Sequence, residues 1–99
     1  MKGIVWGSTL EKAKEKLKQI EKDYEMHKTA NLISKKDSKY GYELFYDNGD
    51  CWRAISAREN MRGCRCNISY VDTEIEDCYV KEIIYHSTSA LPFQAFTYY

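Results

Sequence analysis

The first 27 residues constrain the fold more than any other part of the chain. Lys2 to Trp6 concentrates β-branched and aromatic bulk, Gly7 breaks the run, and Ser8 stands three residues before Glu11, the spacing of a Ser-x-x-Glu capping box. Leu10, Ala13, Leu17, Ile20 and Tyr24 then recur at alternating spacings of three and four, which puts them on one helical stripe. The lysines and glutamates between them fall elsewhere. The pattern predicts a short buried strand followed by an amphipathic helix from about Thr9 to Met26, with Ser8 as its N-cap. A helix with such a stripe needs an apolar layer to cover.

The rest of the chain supplies that layer. Ala30 to Ser34 reads as a short strand and Lys35 to Lys39 as a polar connection. Tyr40 to Tyr46 and Cys51 to Ser56 flank Asp47-Asn48-Gly49-Asp50, and Asn-Gly between two such runs is a strong hairpin signal. Arg58 to Arg65 reads as an irregular segment, Cys66 to Val71 as a strand, and Phe93 to Tyr98 as a closing strand. Glu74 to Ile84 reads as a shorter helix with Ile75, Cys78, Tyr79 and Ile83 on its apolar side. The order predicts an α/β fold, with α+β as the variant: one small domain over residues 1–99, built on a mixed sheet with a long first helix and a shorter second one.

Composition narrows function mainly by exclusion. No apolar run reaches membrane-spanning length and the start lacks the apolar stretch of a secretory signal, so a cytoplasmic protein without membrane contacts is expected. Lys+Arg and Asp+Glu both number 15, which argues against whole-molecule attraction to nucleic acid. The zero hides an asymmetry: ten lysines against six acids in residues 1–40, and five basic groups against nine acids in residues 41–99. Every basic residue through Lys39 is lysine, whereas all four arginines lie between Arg53 and Arg65.

Four motifs carry chemistry. Gly3 to Thr9 sits between strand and helix, as a phosphate-binding loop does, but its glycine spacing is one short and its lysine is absent, so helix capping explains it better. Cys51, Cys64, Cys66 and Cys78 lack zinc-knuckle spacing and read as reduced structural thiols, with no metal or other cofactor expected; His27 and His86 read as ordinary surface or helix-end residues. Trp52-Arg53 through Arg58, Asn60, Arg62-Gly63 and Arg65 forms an arginine island in which planar guanidinium forks and a permissive glycine suit anion or nucleic-acid contact. Salt bridging and packing are the plainer use of such arginines. Asn67 to Asp72 is an apolar-leaning strand ending in a carboxylate, and Asp72 is a candidate metal-facing acid. The later acids Asp72, Glu74, Glu76, Asp77 and Glu82 fit either a solvated helix N-terminus or a DNA-mimicking surface.

Taken together, these pieces resemble the RecA-like ATPase module of phage large terminase subunits. Trp6 to Lys14 is similar to a strand and helix of that module, Phe45 to Asp50 to its Asn-Gly hairpin, and Arg62-Gly63 followed by Ile68 to Asp72 to its Arg-Gly segment and Walker B strand. The P-loop is missing and the glutamate that should follow the Walker B acid is displaced by Thr73 to Glu74. The resemblance therefore implies a phage- or prophage-type protein that binds without catalysing. Its partner would be a protein, as an inhibitor of a host defence system or a packaging accessory. Two alternatives stand beside it: a nucleic-acid-binding module using the Arg53 to Arg65 segment, and a nucleotide-binding subunit completed by another chain. The oligomeric state is not fixed by the sequence.

Overall fold

Strand β1 (Lys2–Gly7) is buried from Gly3 onward, so both of its faces must be covered. The computed structural model, which describes residues 1–39, 41–57, 65–84, 88 and 95–99, shows how. β1 lies inside a six-stranded mixed sheet of order β2-β3-β4-β1-β5-β6. The other strands are β2 (Leu32–Ser38), β3 (Gly41–Tyr46), β4 (Cys51–Ser56), β5 (Ile68–Val71) and β6 (Ala95–Tyr98). β1 runs parallel to β4 and β5, β6 is parallel to β5, and β2, β3 and β4 form an antiparallel meander. The expected α/β architecture with a mixed sheet, one long helix and one short helix is the one observed.

Helix α1 (Leu10–His27) covers one face. Its stripe Ala13, Leu17, Ile20 and Tyr24 packs on Val5, Tyr42, Leu44, Trp52 and Ala54. Gly7 permits the close approach at the strand-helix junction: a Cβ there would lie 2.3 Å from the Thr9 carbonyl and 2.8 Å from the Ala13 nitrogen. The N-cap is Thr9 and not Ser8. Thr9 Oγ1 accepts from the Lys12 amide at 3.3 Å, because the Ser8 hydroxyl is committed to Asp72. Glu11 is exposed and closes no capping box among the described contacts. The helix ends on Lys28 in the left-handed region (φ 51°), with the Thr29 amide donating to the Tyr24 carbonyl at 3.1 Å.

Among the described residues, the opposite face is covered by the segment that follows β5. The predicted helix from Glu74 to Ile84 is instead a single turn, α2 (Asp77–Tyr79), running into a π-helical turn (Val80–Ile84). Asp72 Oδ1 accepts from the Glu74 amide at 3.0 Å and holds the chain in a turn where the helix was expected to begin. The wider π winding then puts Val80 and Ile84 in the core beside Ile75, while Cys78 is exposed and Tyr79 and Ile83 are half-buried. These residues seal Ile4, Trp6, Ile55, Cys66 and Val71 into a second apolar cluster.

β2 corrects the sequence reading most. The lysine-rich stretch expected to connect strands is itself the strand, and all seven of its residues are exposed. Hydropathy misses it because an edge strand carries charge without penalty. Ion pairs from Lys35 to Glu21 (3.4 Å) and from Lys14 to Asp37 (3.2 Å) tie it to α1. The β3-β4 hairpin turns as expected on Gly49, at φ 91°, with the Tyr46 amide donating to the Asp50 carbonyl at 2.9 Å. β5 starts at Ile68, two residues later than expected, because Asn67 is used to bind the backbone of β1. Among the described residues no helix is long and apolar enough to cross a membrane.

Candidate binding face

The α2 segment packs over Trp6, Ile55 and Val71, towards the C-terminal ends of the parallel strands. At the opposite, N-terminal end of the same face, described residues line a groove of about 360 Å³. Strand register dictates what lines it. Lys2 pairs with Cys51 and Ile4 with Arg53 across β1-β4, while Phe45 faces Cys51 and Glu43 faces Arg53 across β3-β4. Side chains of paired residues share a face, so Phe45, Cys51 and Lys2 form one row and Glu43, Arg53 and Ile4 the next.

A second chain segment is pinned beside these rows. The Lys2 amide donates to Asn67 Oδ1 at 2.9 Å and the Asn67 amide donates to the Lys2 carbonyl at 2.8 Å. That double link, with Cys66 fully buried, sets the exposed Arg65 on the groove. The groove thus gathers three exposed cations, Lys2, Arg53 and Arg65, around an apolar floor that includes Ile4. Phe45 is 36% exposed at its side. The groove's one carboxylate among the described residues, Glu43, forms an ion pair with Arg53, with 3.5 Å between Oε1 and Nε.

Of the residues singled out from the sequence, Arg53 and Arg65 meet here. Trp52 does not present itself to a partner: it is 4% exposed and points to the α1 side, where its ring lies over Gly3 and its indole N–H donates to the Tyr24 hydroxyl at 3.0 Å. Alternation along β4 explains this, since Trp52 and Arg53 are neighbours and must face opposite ways. Tyr46 is also buried, stacked on Tyr24 at 4.1 Å between centroids. Arg58, Asn60, Arg62, Gly63, Cys64 and His86 lie outside the described residues. Sequence reading missed Lys2, Ile4 and Phe45. Lys2 and Phe45 are remote from the arginine island in the chain, and only the β1-β4-β3 register brings them to it.

Asp72 stands at the other end of the strands. α1 leaves β1 on one face and the α2 segment leaves β5 on the other, so the crevice between these adjacent parallel strands is a topological switch point, the usual ligand position in open α/β sheets. Here the chain's own groups engage the carboxylate, and two grooves flank it, one of about 350 Å³ beside Lys12, Asp72 and Tyr99 and one of about 330 Å³ beside Ser8, Glu74 and Tyr79. Asp72 Oδ2 accepts from the Ser8 amide at 2.9 Å and from the Ser8 hydroxyl at 2.5 Å, and Oδ1 takes the Glu74 amide. Lys12 Nζ lies 3.9 Å from Oδ2 and also pairs with Glu74. Burial alone would raise the Asp72 pKa, but the Ser8 and Glu74 donors and the Lys12 charge outweigh it and hold the carboxyl below its usual range. Burial, with the Asp72 charge nearby, raises the Tyr99 pKa.

Only Ser8 and Thr9 separate β1 from α1, too short a loop to wrap a phosphate chain. Of the later acids, Asp72 is buried and Glu74 is engaged by Lys12, which leaves Glu76, Asp77 and Glu82 as exposed acids in that run. Cys51, Cys66 and Cys78 are in the reduced form, His27 is exposed at the end of α1, and the described residues contain no group of three His, Cys, Asp or Glu placed to hold a metal ion. Compared with models of known protein families, with curated proteins and with solved structures, the chain matches none.

Proposed function

We propose that this protein is a non-catalytic binding module that engages an anionic surface of a macromolecular partner through the groove of Lys2, Arg53 and Arg65. What supports this is the convergence of three cations from three separate chain segments on one groove beside an exposed aromatic ring. The arrangement at Asp72 supports binding over catalysis: both carboxylate oxygens are held by the chain's own donors, and the two-residue link from β1 to α1 offers no phosphate cradle. The resemblance of the Asn-Gly hairpin and the Asp72 strand to the terminase ATPase module supports a phage- or prophage-type protein working in the host cytoplasm, as a defence inhibitor or packaging accessory.

The test compares affinity capture by the parent protein, Arg53→Glu/Arg65→Glu and Asp72→Asn, with each recovered partner re-tested in purified form. The expected result is a partner retained by the parent and by Asp72→Asn and lost with the reversed charges. A partner indifferent to the charge reversal would overturn the proposal. So would a thermal shift with Mg-nucleotide that Asp72→Asn abolishes, which would favour a nucleotide-binding subunit instead.

A further inference from the structure

Within that binding reading, on which this inference rests, we propose that the groove takes a single-stranded nucleic acid, with phosphates on Lys2, Arg53 and Arg65 and a base against the ring of Phe45. A polymer of this kind needs a cationic track and a face on which an unpaired base can stack, and the two occur here together. Phe45 and Lys2 flank Cys51 on either side, so at the usual strand spacing they stand about 10 Å apart, the reach of roughly three stacked nucleotides. Arg53 is a diagonal neighbour of Phe45, about 7–8 Å away. The ion pair of Arg53 with Glu43 uses its Nε, and the guanidinium keeps four further N–H donors for a phosphate.

Other occupants fit less well. A duplex keeps its bases paired and offers Phe45 no face to stack on. An acidic peptide would gain from the cations but could not add as a strand, because β4 and β1 are paired along both edges. The neutral net charge of the chain also fits local capture better than nonspecific coating of nucleic acid, since the three cations act as a patch.

The probes are a fluorescein-labelled 15-mer of deoxythymidine, the same length of mixed-sequence duplex, and a 15-residue polyglutamate peptide, titrated with the full chain by anisotropy at three salt concentrations. The variants are Arg53→Ala/Arg65→Ala and Phe45→Leu, each checked by circular dichroism; leucine keeps apolar bulk at position 45 and removes only the aromatic face. The expected result is preferential binding of the single strand, weakening as salt rises. The double arginine variant should lose affinity and flatten the salt dependence, and Phe45→Leu should lose about ten-fold with the salt slope unchanged. Equal affinity for polyglutamate, or no effect of Phe45→Leu, would overturn the single-strand proposal and leave the binding reading standing. Absence of single-strand binding would overturn it as well, and the charge-reversal capture above would then decide the binding reading separately.

Discussion

Replacing Asp72 with asparagine probes the junction that locks β1, α1 and β5 together. The aspartate side chain is buried and accepts three hydrogen bonds, from the Ser8 amide, the Ser8 hydroxyl and the Glu74 amide. Asparagine keeps one carbonyl oxygen and turns the other into a donor. In either orientation its NH₂ faces at least one N–H that needs an acceptor, and the charge facing Lys12 is gone. A hydrogen bond to a charged group contributes about 1.5–3 kcal/mol, so the loss should be about 2–3 kcal/mol. In a domain of this size that lowers Tm by about 10–20 °C.

The pH dependence gives the prediction a second axis. The folded-state pKa of Asp72 lies below its unfolded value, so its stabilisation is full above the ordinary carboxylate range near 3.9 and is lost as pH falls through the folded value. The gap in stability between the parent and Asp72→Asn should therefore be wide at pH 7 and shrink as the pH falls below about 4. Thermal or urea unfolding followed by circular dichroism reads both effects, and Ser8→Ala completes a double-mutant cycle in which the two changes should cost less together than summed. A variant within about 0.5 kcal/mol of the parent at pH 7, the range of an ordinary surface change, would mean that the Asp72 carboxylate does not lock this junction.

Two further changes should raise stability. The Tyr46 hydroxyl is buried without a hydrogen-bond partner among the described residues, and burial pushes its pKa up to about 12. Tyr46→Phe removes an unsatisfied polar atom and should stabilise by about 1 kcal/mol in urea unfolding; destabilisation would mean that the hydroxyl is satisfied in solution. Lys28 closes α1 at φ 51°, a conformation that suits glycine, and Lys28→Gly should raise Tm by a few degrees by calorimetry. A lower Tm would place the Lys28 side chain in an interaction that stabilises the cap.

Elements whose burial follows one clean period were legible in the sequence. The α1 stripe marked the helix because its buried side chains share one face, and the apolar run of β1 marked a strand covered on both faces. Three features were not. The capping box at Ser8 was overridden by a carboxylate 64 residues away, which no local pattern reveals. β2 hid behind its lysines because edge strands are selected for charge more than for hydropathy. The π turn at Val80–Ile84 shifted the buried positions off the 3.6-residue period, so Cys78 went to solvent and Val80 to the core. The binding face was half legible: the arginines announced themselves by type, while Lys2 and Phe45 joined them only through the register of three strands, and alternation turned Trp52 away.

Binding in the groove of Lys2, Arg53 and Arg65 is tested by an amide chemical-shift titration with the 15-mer single strand. The expected shifts centre on Lys2 to Ile4, Phe45, Cys51 to Arg53 and Arg65, with α1 and the Ser8-Asp72 junction undisturbed. Shifts centred instead on Ser8, Lys12, Asp72 and Glu74 would contradict it and move the functional site to the opposite end of the strands.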